Sequence, residues 1–222
     1  EVFIEDFDHT FDWNPDGDRL VFYSRDRSLF TINKDGSGSK QIYESSSYDI
    51  YPQWSPDGEM ILLTEILKDE SNIGDYITKH SIIDLEGNEI ITFTNELHSP
   101  IWSGSGNHIF FLSKSSYGEL MMMNPDGSNI IVVDTDYWRR FFSSCKTSND
   151  EVLAYIGLKK LTLVHLDDLN NKRSIILSEN DSFGEFKWSP NCEWILANSS
   201  DAYSVIINIE TEEIYSFIDD IR

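Results

Sequence analysis

The chain has 222 residues, 40% of them hydrophobic and 13% aromatic, enough to fill a sizeable core. Its 17 Lys and Arg against 39 Asp and Glu give a formal charge of −22, a field that repels phosphate backbones and anionic head groups and argues against nucleic-acid and membrane-surface binding. No apolar run approaches the roughly 18 residues of a membrane span, whereas a basic protein partner, a cationic ligand or a divalent ion is compatible with the charge.

In chain order, residues 1–7 read as an extra N-terminal strand, and the first residue is Glu1 rather than Met. A removed signal peptide, a lipoprotein leader or a boundary within a longer chain would each account for that start. Trp13-Asn14-Pro15-Asp16-Gly17 then opens a unit that returns as Trp54-Ser55-Pro56-Asp57-Gly58 and as Trp102-Ser103-Gly104-Ser105-Gly106. A blurred copy follows at Phe142-Ser143-Ser144, and the last is Trp188-Ser189-Pro190-Asn191-Cys192. The anchors are 41, 48, 40 and 46 residues apart, and all-strand repeats of roughly 40–45 residues are the mark of propeller blades.

The second repeat shows how one unit folds. A strand over 51–54 meets a turn in which Pro56 presets φ and Gly58 takes the positive φ of the reversal. A second strand over 60–66 is almost unbroken in apolar side chains, so both of its faces must be covered. A third strand, a Gly-bearing hairpin and a fourth, outer strand complete the unit. Five such units are predicted, over about 8–44, 51–94, 99–134, 139–178 and 183–218, as an all-β, single-domain propeller of four-stranded antiparallel blades spanning 1–222. No helix is expected. The pattern resembles the TolB-like, WD-like propeller repeat, in which each blade opens on a W-S-P-D-G turn and carries a second D-G-rich hairpin. The start and end fall near unit boundaries, so a complete five-bladed ring is expected in preference to a piece of a larger one.

Cys145 and Cys192 fall near the first hairpin of consecutive units, which places them a blade apart and predicts two thiols. Propellers bind at the channel mouth, on the face carrying the loops before the first strand and between the second and third. The candidate binding residues there are His9, Tyr48, Asp49, His98, Tyr137, Trp138, Arg139, Arg140 and Glu185. Tyr137-Trp138-Arg139-Arg140 has the composition that captures a carboxylate or acidic chain, although a Trp packed between blades would look the same. The insertion over 68–79 reads as a contact loop or a passive excursion.

For catalysis the five histidines show no metal-ligand spacing, and no G-x-S-x-G elbow is present. No catalytic residue, metal or cofactor is therefore expected. The first reading is a non-enzymatic, monomeric platform for a protein or peptide partner. The resemblance places it in the periplasm, in the cell envelope or outside the cell. Two alternatives stand beside it: a carbohydrate-active propeller, lyase- or hydrolase-like, with His9, His98 and acids at the channel, and an accessory propeller of a longer enzyme or receptor.

Overall fold

The structure, a computed structural model, describes residues 7–47, 49–69, 75–93, 97–114, 118–135, 141–157, 159–178, 183–199 and 203–218. Of the N-terminal strand expected over 1–7, residues 1–6 lie outside them and Phe7 begins the first strand of the first sheet. The described residues form five four-stranded antiparallel sheets with no helix. The first holds β1 (Phe7–Trp13), β2 (Arg19–Ser24), β3 (Ser28–Asn33) and β4 (Lys40–Glu44). The second holds β5 (Asp49–Trp54), β6 (Met60–Lys68), β7 (Tyr76–Asp84) and β8 (Glu89–Phe93). The third holds β9 (Leu97–Trp102), β10 (Ile109–Ser113), β11 (Leu120–Met123) and β12 (Ile131–Asp134). The fourth holds β13 (Phe142–Lys146), β14 (Glu151–Ile156), β15 (Lys160–His165) and β16 (Lys172–Ile176). The fifth holds β17 (Phe183–Trp188), β18 (Trp194–Ser199), β19 (Tyr203–Asn208) and β20 (Ile214–Ile218). Every sheet runs in sequence order, the meander of a propeller blade. The residues cluster into two compact units, the first built on sheets one to three and the second on sheets four and five.

The anchor turns explain the hairpins. In the second sheet Gly58 N–H donates to the Ser55 carbonyl at 2.9 Å with φ at 73°, and Ser55 Oγ accepts the Met60 N–H at 2.9 Å. Ser189, Asn191 and Cys192 repeat this geometry in the fifth sheet, where Cys192 takes φ of 60° in the glycine's place. Each anchor pairs with the residue seven further on: Trp13 with Leu20, Trp54 with Ile61, Trp102 with Ile109 and Trp188 with Ile195.

Within each unit, neighbouring blades stack through two kinds of face. The leading face, carrying the anchor, looks back toward the preceding blade, and the trailing face looks toward the next. Within the first unit Val21, Tyr23, Leu29 and Ile42 on the trailing face of the first blade meet Ile50, Trp54, Ile61, Leu63 and Ile83 on the leading face of the second. Leu62, Ile82 and Phe93 then meet Leu97, Trp102, Ile109, Phe111 and Met123 of the third. Ala154, Ile156, Leu161 and Leu163 meet Phe183, Ile195, Ala197 and Val205 in the second unit. Close approach extends to the backbone: a Cβ on Gly87 would lie 1.6 Å from the Ile42 carbonyl oxygen, so only glycine fits that turn.

Three sequence expectations are corrected. The blurred fourth anchor is Ser144, two residues after Phe142. The Trp188 indole donates to the Ser143 carbonyl as the Trp102 indole donates to Gln53, in each case the residue before the anchor. The fourth blade has therefore lost the aromatic altogether, and Ser144 pairs with Leu153 in a hairpin two residues longer than the others. The two cysteines are joined, with Cα atoms 5.7 Å apart. The hairpin glycine of one blade points its Cβ direction at the preceding turn, Gly58 at Pro15 (3.5 Å) and Gly106 at Pro56 (3.4 Å). A cysteine at that position therefore faces the preceding blade at van der Waals range rather than across a blade's width. Finally, both ends of the insertion over 68–79, Lys68 and residues 76–79, belong to strands rather than to a loop, while 70–74 lie outside the described residues. β6 and β7 each run nine residues and pair down to Lys68 with Tyr76.

Candidate functional site

In every sheet the loop before the first strand and the loop joining the second to the third leave from one end, and both hairpins leave from the other. At the loop end of the first unit, β4 and the crossing after it supply Tyr43, Ser45 and Ser47. β6 and β7 supply Glu65 and Lys79 as cross-strand partners. The Glu65 side chain is 2% exposed. It accepts from the hydroxyls of Ser45 and Ser47, the latter at 2.9 Å, and pairs with Lys79 Nζ at 3.2 Å. Lys79 also pairs with Glu89, and Tyr43 donates to Glu89 at 2.8 Å.

Burial, then the Glu89 hydrogen bond and the Glu65 charge, raise the Tyr43 hydroxyl well above its ordinary range. Burial works against the Lys79 charge, but Glu89 and Glu65 outweigh it and hold the ammonium above its usual value. The Lys79 hydrogen bond lowers Glu89 in turn. The shifts of Tyr43, Lys79 and Glu89 each favour the form already present near neutrality, and the network ties the crossing between two blades.

Beside it, between the second and third blades, His80 is 2% exposed and burial pushes it down to about 4, against an opposing hydrogen bond to Leu97. Its Nε2 lies 3.2 Å from the Leu97 carbonyl and its Nδ1 3.0 Å from Thr64 Oγ1. A carbonyl only accepts, so the ring proton sits on Nε2 and Thr64 donates to Nδ1. The charge of His98 bears on His80 as well. Asp49 begins β5 and accepts the Ile50 N–H at 3.0 Å. Tyr51, Tyr76 and Ile77 are 44%, 53% and 41% exposed around the long β6–β7 arm.

Of the sequence candidates, Asp49 and His98 thus lie at the loop end of the first unit. His9 is on β1 with its side chain outside the described residues, as are Tyr48, Tyr137, Trp138, Arg139 and Arg140. Glu185 belongs to the second unit, where it is exposed and pairs with Lys187 at 3.6 Å. Sequence reasoning missed Glu65 and Lys79, although a carboxylate interrupting the apolar run of a second strand was the available signal.

A second constellation lies at the hairpin end of the fourth blade. Asp150, His165 and Asp167 present ligand atoms within 4.8 Å of one another, the one such group of three among the described residues. His165 Nδ1 and Asp150 Oδ2 are 2.6 Å apart. The long hairpin after Ser144 brings Asp150 beside the end of β15. No spacing rule flags a pair joined only by strand register.

No family model and no curated protein matches the chain. Solved structures do. An oligogalacturonate lyase in complex with manganese superposes with a TM-score of 0.68 at 14% identity, over 92% of this chain and 63% of its own. An oligogalacturonate lyase from Vibrio parahaemolyticus does so with 0.66 at 12%, over 94% and 64%. The chain thus spans just under two thirds of the length of these lyases. The fold is a β-propeller of four-stranded antiparallel blades, five of them in this chain.

Proposed function

We propose that this chain is a carbohydrate-active propeller of the lyase kind, acting on an acidic oligosaccharide, rather than a plain protein-binding platform. The observation that carries this reading is its likeness, over nearly the whole chain, to two oligogalacturonate lyases. The TolB-like repeat pattern and a single propeller domain are parts of the same proposal.

A chain of charge −22 repels a polyanionic sugar, so a divalent cation between them is the physical expectation. Manganese takes carboxylate and imidazole donors, and Asp150, His165 and Asp167 form such a set. When bound there, the cation supplies positive charge that offsets substrate carboxylates and stabilises negative charge developing on the sugar. Asp150 holds the His165 ring in place through the contact at Nδ1. The Cys145–Cys192 disulfide supports a location in an oxidising compartment.

The test is incubation of the chain with oligogalacturonate, with and without manganese, following the ultraviolet absorbance of the unsaturated elimination product. Absorbance that rises with manganese supports the lyase reading. Saccharide binding without product reduces it to carbohydrate recognition, and neither product nor binding sinks it. The platform reading stays second, supported by the partly exposed Tyr51 on β5 and Tyr76 and Ile77 on the β6–β7 arm, and capture of a peptide in place of a saccharide would favour it.

A further inference from the structure

The repeat makes positions in different blades directly comparable, and the two cysteines replace what the other blades carry. The residue after the anchor is Asn14, Ser55, Ser103 or Ser189 elsewhere and Cys145 in the fourth blade. The first hairpin turns on Gly17, Gly58 and Gly106 at φ of 65°, 73° and 74°, and on Cys192 at 60° in the fifth blade. Residues with a Cβ disfavour that region, so the backbone cost at Cys192 is offset by the bond to Cys145.

That bond ends beside Asp150, His165 and Asp167. Strand register sets Cys145, Val152 and His165 in one row across β13, β14 and β15. The next pair, Lys146 with Glu151, closes the base of the turn that carries Asp150. There the Thr147 N–H donates to the Asp150 carbonyl at 2.8 Å, and the Asp150 N–H donates to Thr147 Oγ1 at 3.1 Å. Leu166, between the other two ligands, donates its N–H to the Glu151 carbonyl at 3.0 Å. All three ligands therefore branch from one hairpin base. Ser144 and Cys145 are successive on a strand, so their side chains clamp this base from opposite faces. On one face Gly104 N–H donates to Ser144 Oγ at 2.7 Å and Ser105 N–H to Glu151 at 3.2 Å, within the same unit. On the other face stands the disulfide.

We propose that joining Cys145 to Cys192 raises the affinity of Asp150, His165 and Asp167 for a divalent cation, so that the site is gated by thiol oxidation; this rests on the cation reading given above. Cys145 is partly exposed and Cys192 is buried, so the Cys145 thiolate makes the first attack, on a low-molecular-weight disulfide, and expels one small thiolate. The Cys192 thiolate then attacks the Cys145 sulfur of the mixed disulfide and expels the second. The two cysteines lose two electrons and two protons, and the small disulfide takes up both as two thiols. In the reduced chain the Ser144 and Glu151 clamp remains while the opposite one is gone. The ligands stay neighbours but lose their fixed spacing. Loss of an outer support costs a metal site roughly 10–100-fold, and with one clamp left the lower end of that range applies.

The experiment is titration of the full chain with manganese, reading the free ion from its electron paramagnetic resonance signal. It compares the oxidised parent, the parent reduced and then freed of reductant, and Cys145→Ser combined with Cys192→Gly. That double variant carries the residues of the sibling blades, and circular dichroism checks that it folds as the parent does. The oxidised parent binds manganese in a step that His165→Ala abolishes. The reduced parent and the double variant bind about tenfold more weakly, and oxidised glutathione restores the affinity of the reduced parent alone. Equal affinity of the oxidised and reduced parent, with His165→Ala still abolishing it, overturns the gating and leaves the cation reading standing. Absence of any step that depends on His165 overturns both. The lyase reading is judged apart from either, by the absorbance of the elimination product.

Discussion

His80 shows how a single side chain can set the acid limit of this protein. Burial holds it at about 4 against an ordinary 6.5. Between those values the unfolded chain takes up a proton that the folded chain refuses, so stability rises with pH across the window. The contribution is complete above about pH 6.5. It is lost as the pH falls toward 4, a difference on the order of 3 kcal/mol. Chemical denaturation of the parent and of His80→Gln at several pH values checks this. The variant gives a flatter slope between 4 and 6.5, and an unchanged slope would place the acid sensitivity elsewhere. Glu65 is the opposite case, a buried carboxylate satisfied by hydroxyls and an ammonium, and such groups stabilise only while every partner remains.

At the scale of strands and turns, the sequence was readable wherever a local rule governed the chain. Pro56, Asp57 and Gly58 specify their turn by backbone preference alone, and the buried runs of the second strands specify coverage on both faces. The fourth blade was harder to read because its anchor has become Ser144 and its hairpin is longer, leaving only spacing to place it. The disulfide escaped for another reason: it depends on how one turn leans on the preceding turn, a distance set between blades and invisible within either. That cross-link closes a separation of 47 residues, which a chain-entropy account values at about 4 kcal/mol. Reduction, or Cys192→Ser, lowers the melting temperature measured by calorimetry, and an unchanged transition in reductant would show that the bond does not restrain the unfolded chain.

For the molecule as a whole, five repeated units made the architecture legible, since period and strand order survive even where individual motifs decay. The candidate site was legible only in part. Asp49 and His98 could be assigned to the loop end from chain order. The closed network around Glu65, and the convergence of Asp150, His165 and Asp167, depend on cross-strand register that no linear spacing encodes. Charge gives a further consequence at this scale. A net −22 opposes an anionic saccharide, so ionic strength and divalent ions act on saccharide binding.

The cysteine pair also shows the repeat offering a reusable bolt hole. Cys145 stands one residue past its anchor and Cys192 at the next hairpin's glycine; Asn14 with Gly58, and Ser55 with Gly106, stand in the same relation. Cysteines installed at either pair should close spontaneously in air, detectable as a thiol count of zero and a faster-migrating band before reduction. The two seams of the first unit could then be riveted in turn, making a natural irregularity of the second unit a means of locking the first.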